Sequence, residues 1–163
     1  MNERVRARSN PESSRGVLAF LLIVTPLALG LFWNVPAQAQ ITDAKIAALV
    51  EALRLSAPNT GNPNDGLYSD WKIKWENIVR WSKRCTGTEM EPAEFEADTL
   101  KAREILGCVM GKVLREQYEV TKDELMAVRR AASWWMTGDP ELYDAEQTRP
   151  YTQKVLDSYR RSL

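Results

Sequence analysis

The chain has no histidine. That removes the commonest metal ligand and the side chain whose ordinary pKa suits it to general-base work near neutrality. Only two cysteines are present, and without histidine they make a poor zinc site. No phosphate loop, dinucleotide fingerprint or nucleophile elbow occurs. No alternating strand pattern persists, and no internal repeat is visible. Charge of one sign is also missing: 22 basic residues face 22 acidic ones. Nothing electrostatic therefore points to nucleic acid as a partner. No cofactor is expected.

What is present begins with an address. Residues 1–15 carry Arg4, Arg6, Arg8 and Arg15, and GVLAFLLIVTPLALGLFW (16–33) is an uncharged apolar run. Ala37-Gln38-Ala39 has the small-x-small form of a signal-peptidase site, so 1–39 reads as a signal peptide cleaved after Ala39. A retained membrane anchor is the alternative, because an 18-residue run can just cross a bilayer. After cleavage no membrane attachment is expected. The remainder is long enough for one domain. In an oxidising exported compartment Cys85 and Cys108 read as a disulfide, two buried free thiols being the alternative.

The helices follow from apolar spacing. TDAKIAALVEALRL (42–55) has Thr42 as a cap and Ile46, Leu49, Val50 and Leu53 as a stripe. The Pro/Gly/Asn-rich stretch 56–66 reads as a loop tethering this helix flexibly. The expected organisation is thus an N-terminal helix and loop over 40–66 and a helical domain over 67–163. KWENIVRWSKRC (74–85) turns Trp75, Ile78, Val79, Trp81, Ser82 and Cys85 to one side. Pro92 starts a short helix over 92–97. Residues 99–118 form the longest helix and the central one, since its apolar arc covers about half its circumference. Gly107 and Gly111, four apart in it, suggest close approach of a neighbour.

A capping box at Thr121-Lys122-Asp123-Glu124 opens a helix over 122–136, and Gly138 ends it. Asp139-Pro140 fits a short turn or helix. The last helix, 149–161, carries Tyr151, Val155 and Tyr159 on one stripe. The fold class is all-α, about five helices packed at angles around 99–118 in a single domain after a signal peptide.

The binding candidates are aromatic. Helix 122–136 turns Leu125, Val128, Ala131, Ala132, Trp135 and Met136 to one side, and Arg129, Arg130, Ser133 and Trp134 to the other. Trp135 is therefore assigned to the core, whereas Trp134 is covered by a second layer, such as 139–150 or the last helix, or is exposed as a platform. Flat aromatic faces in exported proteins often bind sugars. Trp75 and Trp81 sit on an apolar side and read as core. Trp71 and Tyr68, before that helix, read as freer surface contacts, and Tyr151 is a further candidate. Glu76 is the acid nearest these aromatics, but it sits among Arg80 and Lys83, not in the apolar burial that raises a catalytic carboxyl. It is the catalytic residue only if the chain is an enzyme. EMEPAEFEAD (89–98) lacks the spacing of a Ca²⁺ loop and reads as solvated, helix-capping acids.

RWSKRCTG (80–87), REILGCVMGKVL (103–114), VRRAASWWMTGDP (128–140) and YTQKVLDSY (151–159) together resemble a group of small exported cyanobacterial proteins of unassigned function. That resemblance implies a periplasmic or thylakoid-lumen location and no activity. Gln147-Thr148-Arg149-Pro150-Tyr151-Thr152-Gln153-Lys154-Val155-Leu156 is similar to a C-terminal helix of lytic transglycosylases. Here Met136-Thr137-Gly138 replaces that family's Asn-Ala-Gly turn, and its catalytic Glu-Ser element and Gly-Leu-Met-Gln stretch have no counterpart. The resemblance implies a lysozyme-like helical arrangement that keeps glycan binding without cleavage. The expected function is an exported non-enzymatic helical domain that binds a protein partner or cell-envelope peptidoglycan. Its rivals are a lysozyme-like glycan-cleaving enzyme with Glu76 as acid, and a small structural subunit of a thylakoid membrane complex.

Overall fold

A computed structural model describes residues 40–62 and 65–163. The signal-like segment, its cleavage site and the anchor alternative lie outside the described residues. Within them the chain runs α1 (Asp43–Ser56), β1 (Leu67–Tyr68), β2 (Ile73–Lys74), α2 (Trp75–Thr86), α3 (Pro92–Ala97), α4 (Thr99–Thr121), α5 (Glu124–Thr137), a 3-10 turn (Pro140–Asp144) and α6 (Arg149–Ser162). The class is all-α, with six α-helices among the described residues. None of these helices is long and apolar enough to cross a membrane. The hairpin is the one element without a sequence signal: two-residue strands are too short to show alternation. It pairs Leu67 with Lys74 and Tyr68 with Ile73, antiparallel.

Helix α1 starts where Thr42 accepts the Lys45 N–H at 3.3 Å. Its stripe Ile46, Leu49, Val50 and Leu53 is buried, and so is a second face of Ala48, Ala52 and Ser56. Buried on both faces, α1 packs against α4 and α6. It is part of the core, not an appendage on a flexible tether. Polar links hold it there as well: Lys45 reaches Glu124 of α5 at 2.7 Å, and Arg103 of α4 reaches Glu51 at 2.8 Å.

Helix α4 touches α1, α2, α3 and α5. Its buried Ala102, Ile105, Leu106, Val109, Met110, Val113 and Leu114 are the predicted arc. Of its two glycines only Gly111 meets a neighbour. A Cβ there would sit 3.0 Å from Ile46 Cδ1 of α1, whereas one on Gly107 would meet nothing within 4 Å. The helix runs past the predicted end to Thr121. That threonine donates back to the Gln117 carbonyl at 2.9 Å, so it closes α4 instead of capping α5. Asp123 is the true cap, accepting the Met126 N–H at 3.0 Å.

Cys85, near the end of α2, is bonded to Cys108 in the middle of α4, with Cα atoms 6.1 Å apart. The bridge holds α2 against the central helix. Trp75, predicted to be core, is 53% exposed. As the first residue of α2 it lies one turn before Ile78 and beyond the packed surface, and Ile73 of β2 fills the core at that level.

On α5 the predicted polar side is partly wrong. Arg130 is buried, donates to Gln117 at 2.7 Å and pairs with Glu141. The 3-10 turn folds back over this face and carries Glu141 and Tyr143 with it. Leu125 and Met136, assigned to the core side, are 38% and 51% exposed at the two ends of the helix, where no neighbour covers them. Gly138 ends α5 as predicted, with φ 84° and its N–H on the Trp134 carbonyl. In α6, Val155, Leu156 and Tyr159 are buried, and the Tyr159 hydroxyl donates to Glu124 at 2.7 Å.

Candidate functional site

One cleft of about 470 Å³ gathers most of the aromatic candidates. That size lies in the range of small-molecule sites, roughly 300–1,000 Å³. Its walls come from five parts of the chain: the end of α1, the hairpin, α2, the end of α5 and the start of α6.

Trp81 of α2 forms the floor, only 6% exposed. Trp134 stacks on it with ring centroids 6.3 Å apart, and Trp135 tilts against it at 5.5 Å. Both members of the pair are half-buried and packed on the core's edge. The expected division between a core Trp135 and an off-core Trp134 therefore fails. Neighbours on a helix diverge by about 100°, but a third ring placed between them is within reach of both. The second layer that meets Trp134 is Trp81. Met136 and Gly138 continue the wall to the cleft's lip.

Trp71 also lines the cleft, but not as a free surface contact. It is 2% exposed, donates its indole N–H to the Val50 carbonyl at 2.8 Å, and lies under the Arg103 guanidinium, 5.2 Å from the ring centre. Tyr151, half-buried on α6, completes the aromatic set. Burial pushes its phenol pKa well above the ordinary value, so the hydroxyl stays protonated and can donate. Tyr68 is half-buried against the core and is not part of the lining; its neighbour Leu67 is.

The polar lining is one-sided. Lys72, Lys74 and Arg80 lie on the walls with Asn77, and among the described residues no aspartate or glutamate does. Lys72 faces Asp65 at 3.6 Å, and Arg80 donates to Asn77 at 2.7 Å. Neither Lys74 nor Arg80 has a carboxylate partner among the described residues. Ser56 is 2% exposed on the same lining, and its hydroxyl makes no hydrogen bond among the described residues.

Glu76 is exposed in the first turn of α2 and is not on the cleft wall. The acids of 89–98 serve helix ends. Glu91 and Glu94 form a capping box on α3, and Asp98 caps α4 by accepting the Lys101 N–H at 2.9 Å. Glu96 holds the hairpin by accepting the Ser69 N–H at 2.9 Å.

Sequence reasoning missed Ser56, Lys74 and Arg80 as wall residues and took Trp81 as core only. A signal existed in WKIKW (71–75), where cations alternate with apolar residues. What the cleft can do chemically is stack flat rings and donate hydrogen bonds. Comparison with family models, curated proteins and solved structures finds no match to the chain.

Proposed function

We propose that this chain is an exported, non-enzymatic helical domain that binds cell-envelope glycan in the tryptophan cleft. The observation that carries this reading is the convergence of Trp71, Trp81, Trp134, Trp135 and Tyr151 on one concavity. Pyranose rings present C–H faces that lie flat on indole, and their hydroxyls need polar partners at the edges. Asn77 and the two lysines stand at those edges.

The lack of carboxyls in the lining favours binding over cleavage. Glycoside hydrolysis uses two carboxyl groups flanking the scissile bond, one of them held protonated. Glu76 is the nearest acid in sequence, and it is exposed outside the cleft. Export to the periplasm or thylakoid lumen is supported by the character of residues 1–39 and by the Cys85–Cys108 pair, a bond that oxidising compartments preserve.

The test is titration of the protein with soluble cell-wall glycan fragments, followed by tryptophan fluorescence and calorimetry. Saturable binding that is lost in Trp134→Ala is the expected result. A zymogram on intact peptidoglycan runs alongside. Clearing that disappears in Glu76→Gln, or no glycan binding at all, would overturn the reading.

A further inference from the structure

We infer that the glycan this cleft selects is acidic: a saccharide bearing a carboxylate beside its pyranose face. This rests on the glycan-binding reading above and narrows the ligand class. The chain as a whole is charge-balanced, 22 against 22, so three cations and no acid among the described residues of one lining is a local asymmetry. Lys72 is partly neutralised by Asp65 at 3.6 Å. Lys74 and Arg80 are not neutralised by any described carboxylate, so a charge from outside can complete them.

The hydrogen-bonding inventory points the same way. A site for neutral sugars needs acceptors as well as donors, because each sugar hydroxyl offers a proton. Lysine and arginine side chains only donate. The protonated Tyr151 hydroxyl can donate as well as accept. The Asn77 amide oxygen already accepts from Arg80. The lining is therefore donor-rich, which suits an anionic acceptor.

The experiment compares sugars that differ in the carboxylate. The purified protein is titrated with N-acetylglucosaminyl-N-acetylmuramic acid and with N,N′-diacetylchitobiose, which lacks the lactyl carboxylate. Oligogalacturonate and its methyl ester form a second pair. The acidic member of at least one pair should bind about tenfold tighter or better, the size of one charge-assisted hydrogen bond. That advantage should shrink between about 50 mM and about 500 mM salt, as exposed charges are screened. It should also collapse in the double variant Lys74→Gln, Arg80→Gln. Both positions are exposed, so the near-UV spectrum should stay unchanged. Preference for the muramic pair identifies a peptidoglycan strand freed of its stem peptides as source, and preference for the galacturonate pair identifies an acidic polysaccharide. Equal, salt-insensitive affinity for acidic and neutral members would overturn the acidic selection while leaving glycan binding intact. No binding of any of the four would remove both.

Discussion

Trp134 lies stacked on Trp81, ring centroids 6.3 Å apart and planes 27° from parallel. Because Trp135 meets the same ring at 5.5 Å, the pair shares one support. Truncating either to alanine removes a half-buried indole and one aromatic contact worth about 0.5–1.5 kcal/mol beyond its area. Each single variant is expected to lose about 2 kcal/mol, and the two losses should match within about 1 kcal/mol. Trp81→Ala removes the buried support of both and should cost about 3–5 kcal/mol. Denaturant unfolding measures all three. A near-neutral Trp134→Ala beside a costly Trp135→Ala would restore the division that the helical wheel suggests.

The two glycines of α4 should respond in opposite directions to alanine. In a helix interior alanine is favoured over glycine by about 1 kcal/mol. Gly107 has open space for a Cβ, so Gly107→Ala should stabilise by about 0.5–1 kcal/mol. At Gly111 the new methyl sits 3.0 Å from Ile46 Cδ1, and Ile46 is itself packed in the core. Gly111→Ala should therefore gain nothing or lose stability. Paired urea midpoints check this, and equal gains at both sites would show that α1 can shift away from α4.

The contrast between these glycines shows what the sequence could tell. Features set by spacing within one helix were legible: the stripes of α1 and α4, the Thr42 cap and the Gly138 stop; the pairing of Cys85 with Cys108 followed from there being two cysteines. Features set by what folds back from elsewhere were not. Arg130 reads as solvated until the 140–144 turn brings Glu141 over it. Trp71 reads as free until its N–H finds the Val50 carbonyl, 21 residues away. The cleft draws on five separated segments. The individual rings could be suspected from sequence, but their meeting around Trp81 could not.

Acid should weaken the ion-pair cluster that Glu51 makes with Arg54 of α1 and Arg103 of α4. Hydrogen bonds from Arg54 first, and then from Arg103, hold the Glu51 carboxyl at about 2 against an ordinary 4.5, with burial pushing the other way. Its folded-state pKa is depressed, so its contribution to stability is fully present above about 4.5 and is lost as pH falls toward about 2. The urea midpoint should drop through that window. Other carboxylates contribute to the drop, so the measurement is a difference: Glu51→Gln should flatten the curve relative to the parent. Parallel curves would mean that Glu51 gains nothing from its two arginines. The side chain is about a quarter exposed, so high salt should reduce the difference.

Ser56 should separate stability from binding. Ser56 lies at the end of α1 on the cleft lining, and its buried hydroxyl has no hydrogen-bond partner among the described residues. A buried polar group left unsatisfied costs about 1–3 kcal/mol. Ser56→Ala should therefore leave stability unchanged or raise it by about 1 kcal/mol, which is unusual for a buried position. If the hydroxyl is kept for a ligand, the same variant should bind glycan severalfold more weakly. Paired unfolding and titration of one variant read both quantities. Lower stability with unaltered affinity would mean that the hydroxyl is held by its own protein neighbours and does not face the ligand. Higher stability with weaker binding is the combination expected of a group whose partner arrives with the ligand.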